Sequence, residues 1–111
     1  MHTIQEFSEF VRDAAKLLTE DELADLLTYV AFDPTRGDLI PGSGGFRKLR
    51  WGRQGKGKRG GVRTVYFYYD ENIPISMVAI YAKNAKENLS RAEINELYAS
   101  AQIMKGVNYA R

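Results

Sequence analysis

Arg47, Lys48, Arg50, Arg53, Lys56, Lys58, Arg59 and Arg63 are half of the chain's 16 lysines and arginines, and residues 39–69 around them contain no aspartate or glutamate. Residues 1–38 carry three basic and nine acidic side chains, and residues 70–111 carry five of each. The net charge of +2 thus conceals an acidic beginning and a strongly basic middle. A surface of this kind attracts polyanions. Glycines at 52, 55, 57, 60 and 61 break up the cations and let the main chain approach phosphates closely. The competing reading is a solvated hairpin tip, charged for solubility alone.

The stretch GRQGKGKRGG, residues 52–61, imitates two nucleotide motifs. Gly52, Gly57 and Lys58 fit a phosphate-binding loop, but Arg59 stands where a magnesium-binding hydroxyl belongs, and a strand pattern follows where a helix is required. Gly55, Gly57 and Gly60 fit a dinucleotide fingerprint, which also needs a helix opening within a βαβ unit. Neither fits its surroundings, so contact with a nucleic-acid backbone is the better reading of the charge.

The residues available for catalysis are few. The chain has no cysteine and a single histidine, His2, and the basic segment holds no pair of carboxylates, so no metal or cofactor is expected. Lysine, arginine and tyrosine remain. They suit attack by an RNA 2′-hydroxyl on its own phosphate, because the substrate supplies the nucleophile and the protein supplies position and cations. A lysine crowded by other cations has its charged form disfavoured, which fits it for proton transfer. Trp51, Tyr66, Tyr68 and Tyr69 are candidates to stack on a base, and core packing is the alternative for each.

The elements that would position these groups follow from periodicity. Phe7, Phe10, Val11, Ala14, Leu17 and Leu18 recur at helical spacing. A second helix follows, with Thr19 and Glu22 as a capping box and Leu23, Leu26, Leu27 and Val30 inward, and it ends near Pro34. From residue 46 the period becomes two, placing Phe46, Lys48 and Arg50 on one face of a strand and Arg47, Leu49 and Trp51 on the other. VRTVYFYY, residues 62–69, reads as a second strand, and the apolar run ISMVAIYA as a third, central one. HTIQ offers a short extra strand, and Ser90 with Glu93 opens a final helix through about residue 104. The expected fold class is α+β: an N-terminal helical hairpin on a three- to four-stranded antiparallel sheet, with a C-terminal helix.

At 111 residues and 44% hydrophobic content the sequence suits one domain, residues 1–111, with one core. MHTIQEFSEF has neither the basic region nor the apolar run of a secretory signal, and no stretch approaches the roughly 20 apolar residues of a membrane span. A reducing cytoplasm is the expected compartment, without membrane association.

GDLIPGSGGFRKLRWGRQGKGKRGGVRTVYFYYD, followed by IYAKNAKENLS, resembles the RelE superfamily of bacterial type II toxin–antitoxin systems, most closely its HigB-like branch. The resemblance spans residues 37 to about 98; residues 1–36 agree in their helical hairpin more than in sequence. It implies a metal-independent endoribonuclease that enters the ribosomal A site and cuts mRNA. It also implies a cognate antitoxin, a helix-turn-helix protein through which any contact with DNA is indirect. Carried onto this sequence, it makes Arg63 the transition-state cation, Lys48 and Lys83 proton-transfer or phosphate groups, and Arg50 an orienting cation. The tyrosine that some relatives use corresponds to Tyr81, with Tyr98 as the alternative. The basic loop, with Arg47, Arg53, Lys56, Lys58 and Arg59, would meet rRNA or mRNA. Two other functions fit the same residues: a toxin of this fold that binds a different target, as ParE-like proteins do, and a non-catalytic nucleic-acid-binding module.

Overall fold

The computed structural model describes residues 1–53, 57–85 and 88–106, with the main chain alone for Arg53 and for residues 57–60. Strand β1 (Ile4–Glu6) leads into helices α1 (Ser8–Leu17) and α2 (Glu20–Phe32). A 3-10 turn at Pro34–Arg36 precedes strands β2 (Asp38–Leu39), β3 (Phe46–Arg53), β4 (Gly57–Phe67) and β5 (Ile75–Ala82), and helix α3 (Arg91–Lys105) follows. The five strands form one sheet in the order β1-β5-β4-β3-β2.

Two features of this sheet correct the expectation from sequence. It has five strands, and it is mixed: β1 runs parallel to β5, pairing Ile4 with Ile75 and Glu6 with Met77, while the other pairs are antiparallel. A period of two fixes which face a side chain takes, but not which neighbour a strand joins or in which direction. The parallel pair is secured beyond the ladder by the Ile75 N–H donating to the Thr3 carbonyl and the Phe7 N–H to the Met77 carbonyl. β2, of two residues, pairs only with Arg47 and Lys48 of β3 and is too short to show a period.

β4 is the middle strand, and β5 lies between it and β1. β4 also begins at Gly57, five residues before the sequence pattern predicts, because main-chain pairing of Arg53 with Gly57 carries the hairpin beyond the run of β-branched residues. Alternation along β4 then divides the core in two. Val62 and Tyr66 face α1 and α2 and meet Phe10, Ala14, Leu26, Val30, Ile75, Met77 and Ile80. Val65 and Phe67 face the other way and meet Phe46, Ile40 and Ala101 of α3. Helices therefore cover both faces.

Local signals set the helix boundaries. At both Thr19 and Ser90 the hydroxyl accepts from the N–H three residues on, and the Glu22 or Glu93 carboxylate accepts from the cap's own N–H. Such caps are worth about 1 kcal/mol each. Gly106, with φ 79°, ends α3 in the left-handed conformation that suits a residue without a Cβ. In α1, Phe10 and Ala14 are fully buried against the sheet, whereas Phe7 and Val11 lie to one side and stay exposed. The apolar set predicted for this helix is therefore wider than its contact.

Candidate nucleic-acid interface

The register of β3 and β4 brings the predicted cations together. Lys48 pairs with Val65 and Arg50 with Arg63, so Lys48, Arg50 and Arg63 share the face that carries Phe46, Val65 and Phe67. α3 covers the apolar end of this face, and the cations occupy the other end. Arg50 and Arg63 sit directly opposite each other, a position where like charges repel at Cβ separations of about 5 Å. No ion pair relieves the repulsion: among the described residues neither these two arginines nor Lys48 pairs with a carboxylate. The Nε of Arg63 is buried and has no hydrogen-bond partner among the described residues. A bound anion would supply both the missing charge and the missing acceptor.

A cavity of about 420 Å³ opens at this point, lined by Arg36, Asp38, Lys48, Leu49, Arg50 and Arg63. Arg36 reaches it from the turn that joins α2 to the sheet, and Asp38 from β2. That turn is built by local chemistry: Pro34 stands at its first position, and the Asp33 carboxylate accepts from the N–H and the hydroxyl of Thr35. These hydrogen bonds, with a smaller contribution from Arg36 and Arg47, hold the Asp33 carboxyl below the usual carboxylate range.

Two side chains from the sheet clamp the same turn. Tyr66, fully buried, donates its hydroxyl to the Pro34 carbonyl at 2.7 Å and accepts from the Gly37 N–H at 2.9 Å. Burial pushes the Tyr66 phenol above its ordinary value, and the Gly37 hydrogen bond opposes the shift. Arg47 donates to the carbonyls of Thr35 at 3.2 Å and Gly37 at 2.8 Å. Gly37 is required for space: a Cβ there would lie 2.9 Å from the Tyr66 Oη and 3.0 Å from the Lys48 carbonyl.

The other predicted residues are distributed as follows. Tyr81 pairs with Arg63 on β5 and shares its face, but its ring lines a second, largely apolar cavity of about 330 Å³ under α3, and its hydroxyl is shielded from solvent. The Lys83 N–H donates to the Gly61 carbonyl at 3.1 Å, extending the β4–β5 ladder by one step past Ala82 and Val62. Arg47 projects to the opposite face, into the clamp. Tyr98 lies on the exposed side of α3, its ring against Gly44 and its hydroxyl accepting from Gln102, away from the cations. Lys56 and the side chains of Arg53, Lys58 and Arg59 fall outside the described residues. Of the aromatic candidates, Tyr66 is core, Tyr68 meets the ring of His2 at 5.3 Å, Tyr69 lies under Lys105, and Trp51 packs on Tyr29.

Sequence reasoning missed Arg36 and Asp38. They lie in a non-repeating segment, so periodicity does not find them. The available signal was turn chemistry: DPTRG places an Asx-type cap, a proline and a glycine next to one another.

Cations opposed across the sheet of a small α+β domain, without an ion pair among the described residues, make a surface suited to a polyanion. Residues 4–111 match the family described as the RelE toxin of the RelE / RelB toxin–antitoxin system, so the chain belongs to the RelE toxin family. It is the toxin of a toxin–antitoxin pair, and its partner is an antitoxin.

Proposed function

We propose that this toxin is a HigB-like, metal-independent endoribonuclease that enters the ribosome and cuts mRNA there. The observation that carries the reading is the Arg50–Arg63 opposition beside Lys48, in a cavity where, among the described residues, Asp38 supplies the only carboxylate. A phosphate placed between the two arginines relieves their repulsion. The added charge of a phosphorane-like transition state relieves it further, which is the differential binding that catalysis requires.

In the proposed reaction the 2′-hydroxyl of the substrate attacks the adjacent phosphorus. The bond to the 5′-oxygen of the next nucleotide breaks, leaving a cyclic 2′,3′-phosphate and a free 5′-hydroxyl. Arg63 and Arg50 hold the non-bridging oxygens. Lys48 or Lys83 takes the proton from the 2′-oxygen or returns one to the leaving oxygen, and Tyr81 supports Arg63 from the neighbouring strand. Arg53, Lys56, Lys58 and Arg59 hold the RNA backbone. Residues 1–111 act as one toxin domain in the cytoplasm. Among the described residues no helix is long and apolar enough to cross a membrane. The antitoxin, a helix-turn-helix protein, covers the basic face, and DNA is reached only through it.

The test compares wild type with Arg63→Ala in growing cells and maps mRNA 5′ ends. Codon-aligned new ends that disappear in the variant are expected, because loss of one preorganised transition-state donor costs about 100-fold or more in rate. Toxicity without new ends would replace this reading with a binding toxin, and absence of toxicity would reduce it to a nucleic-acid-binding module.

A further inference from the structure

Next to the phosphate cavity stands a column of three planar groups. The Trp51 and Tyr29 rings lie 5.0 Å apart at an interplanar angle of 53°, and the Arg36 guanidinium carbon is 3.9 Å from the centroid of the Tyr29 ring. The column is made from three separate elements: α2, the 34–36 turn and β3. Arg36 is its last member. It is also a wall of the cavity, and its side chain is 35% exposed. Arg36 thus lies over an aromatic ring and also lines the space where a phosphate would sit.

The position of Arg36 is fixed from several sides. Asp33 lies 3.9 Å from its Nε, and the Arg36 N–H donates to the Asp33 carbonyl at 3.2 Å. The turn itself is held by Tyr66 and Arg47. A planar cation held over a tyrosine ring, with about a third of its side chain exposed, can serve as a stacking shelf for a second π-system. A nucleobase attached to a phosphate in the cavity would come within reach of it.

The geometry points to a nucleobase subsite: a base of single-stranded RNA next to the phosphate held by Arg50 and Arg63 stacks on Arg36, extending the column Trp51–Tyr29–Arg36. The inference rests on the RNA reading of the cavity and adds to it a non-electrostatic contribution to binding. Because every base has a π-face, the shelf tolerates any sequence.

The test uses the purified full chain and two pentamers of equal charge, 2′-O-methyl RNA, which cannot attack its own phosphates, and an abasic backbone analogue. Wild type should bind the RNA pentamer about tenfold or more tightly than the abasic one, the order expected of one stacked base. Arg36→Lys keeps the charge and removes the plane, so it should bring the ratio of the two affinities close to one; Tyr29→Leu should lower the ratio as well. Far-ultraviolet circular dichroism reports whether the variants remain folded, because Trp51 itself touches Tyr29 and would change its fluorescence in a folded variant. Equal binding of the two pentamers by wild type, or a ratio that survives Arg36→Lys, would overturn the shelf and leave the RNA reading standing. Failure of both pentamers to bind would also overturn the shelf, while the nuclease reading is decided separately by the map of mRNA 5′ ends.

Discussion

Replacing Tyr66 by Phe removes one oxygen, and the structure specifies what that oxygen holds. The ring is fully buried, and the hydroxyl bridges the Pro34 carbonyl and the Gly37 N–H. Both of those residues are themselves buried, so neither group finds water when the hydroxyl is lost. Arg47 continues to donate to the Gly37 carbonyl, which is a different atom and offers no substitute. An orphaned buried main-chain group costs about 1–3 kcal/mol, and part of this is returned because the hydroxyl no longer has to be desolvated, so a net loss of about 2–3 kcal/mol is expected. For a chain of this size that corresponds to a fall in Tm of roughly 10 °C. Urea titration should show a lower midpoint at unchanged slope.

Gly37→Ala offers an independent check, since its Cβ would press on the same Oη. The cost of Gly37→Ala should shrink in the Tyr66→Phe background, where that oxygen is gone, making the pair non-additive. The raised Tyr66 phenol adds an alkaline limb. A group whose folded pKa lies above its unfolded value stabilises the fold below the unfolded value, about 10, and the contribution is lost as pH rises through the folded one. Tyr66→Phe should flatten that limb. A stability change under about 0.5 kcal/mol would refute the argument that this hydroxyl is the anchor of the turn.

Thr19→Ala should lower stability by about 1 kcal/mol in urea titration, because it breaks the capping box of α2. Asp33 behaves in the sense opposite to Tyr66. Its folded pKa is depressed, so its contribution is complete above the unfolded value, about 3.9, and disappears as pH falls through the folded one; an NMR titration should place its midpoint below that of an unstructured aspartate, with Thr35→Ala moving it back up. Neutralising Lys56, Lys58 and Arg59 together should make the salt dependence of RNA binding shallower by about 2 in log–log slope, as loss of three phosphate contacts to a single strand requires.

The extent to which the sequence revealed the site follows from the physics of each element. The faces of β3 were legible because Phe46, Lys48 and Arg50 alternate strictly with Arg47, Leu49 and Trp51, and the observed register keeps that division. The two capping boxes were legible because Thr19–Glu22 and Ser90–Glu93 are local devices, complete within four residues. What depends on distant pairing was not: β1 beside β5 in parallel, and the opposition of Arg50 to Arg63, which requires the hairpin register. Arg47 shows the limit well. By sequence it is one more cation of the basic run; by structure its guanidinium spans two carbonyls on the opposite face. Arg36, on the turn, and Asp38, on the two-residue β2, lacked any periodic signal.

The brevity of β2 bears on how the chain behaves at high concentration. Its two residues cover Arg47 and Lys48, so from Leu49 to Arg53 the outer main-chain groups of β3 have no strand beside them among the described residues. An open edge of this kind is a template on which another chain can add and start an aggregate. Here the template is a poor one. Arg50 projects from it, Gly52 weakens its extended propensity, and the register shifts between Trp51 and Arg53, so an incoming strand would meet charge and a broken hydrogen-bond rhythm. The margin of the sheet nearest the cavity thus resists polymerisation while staying open to solvent.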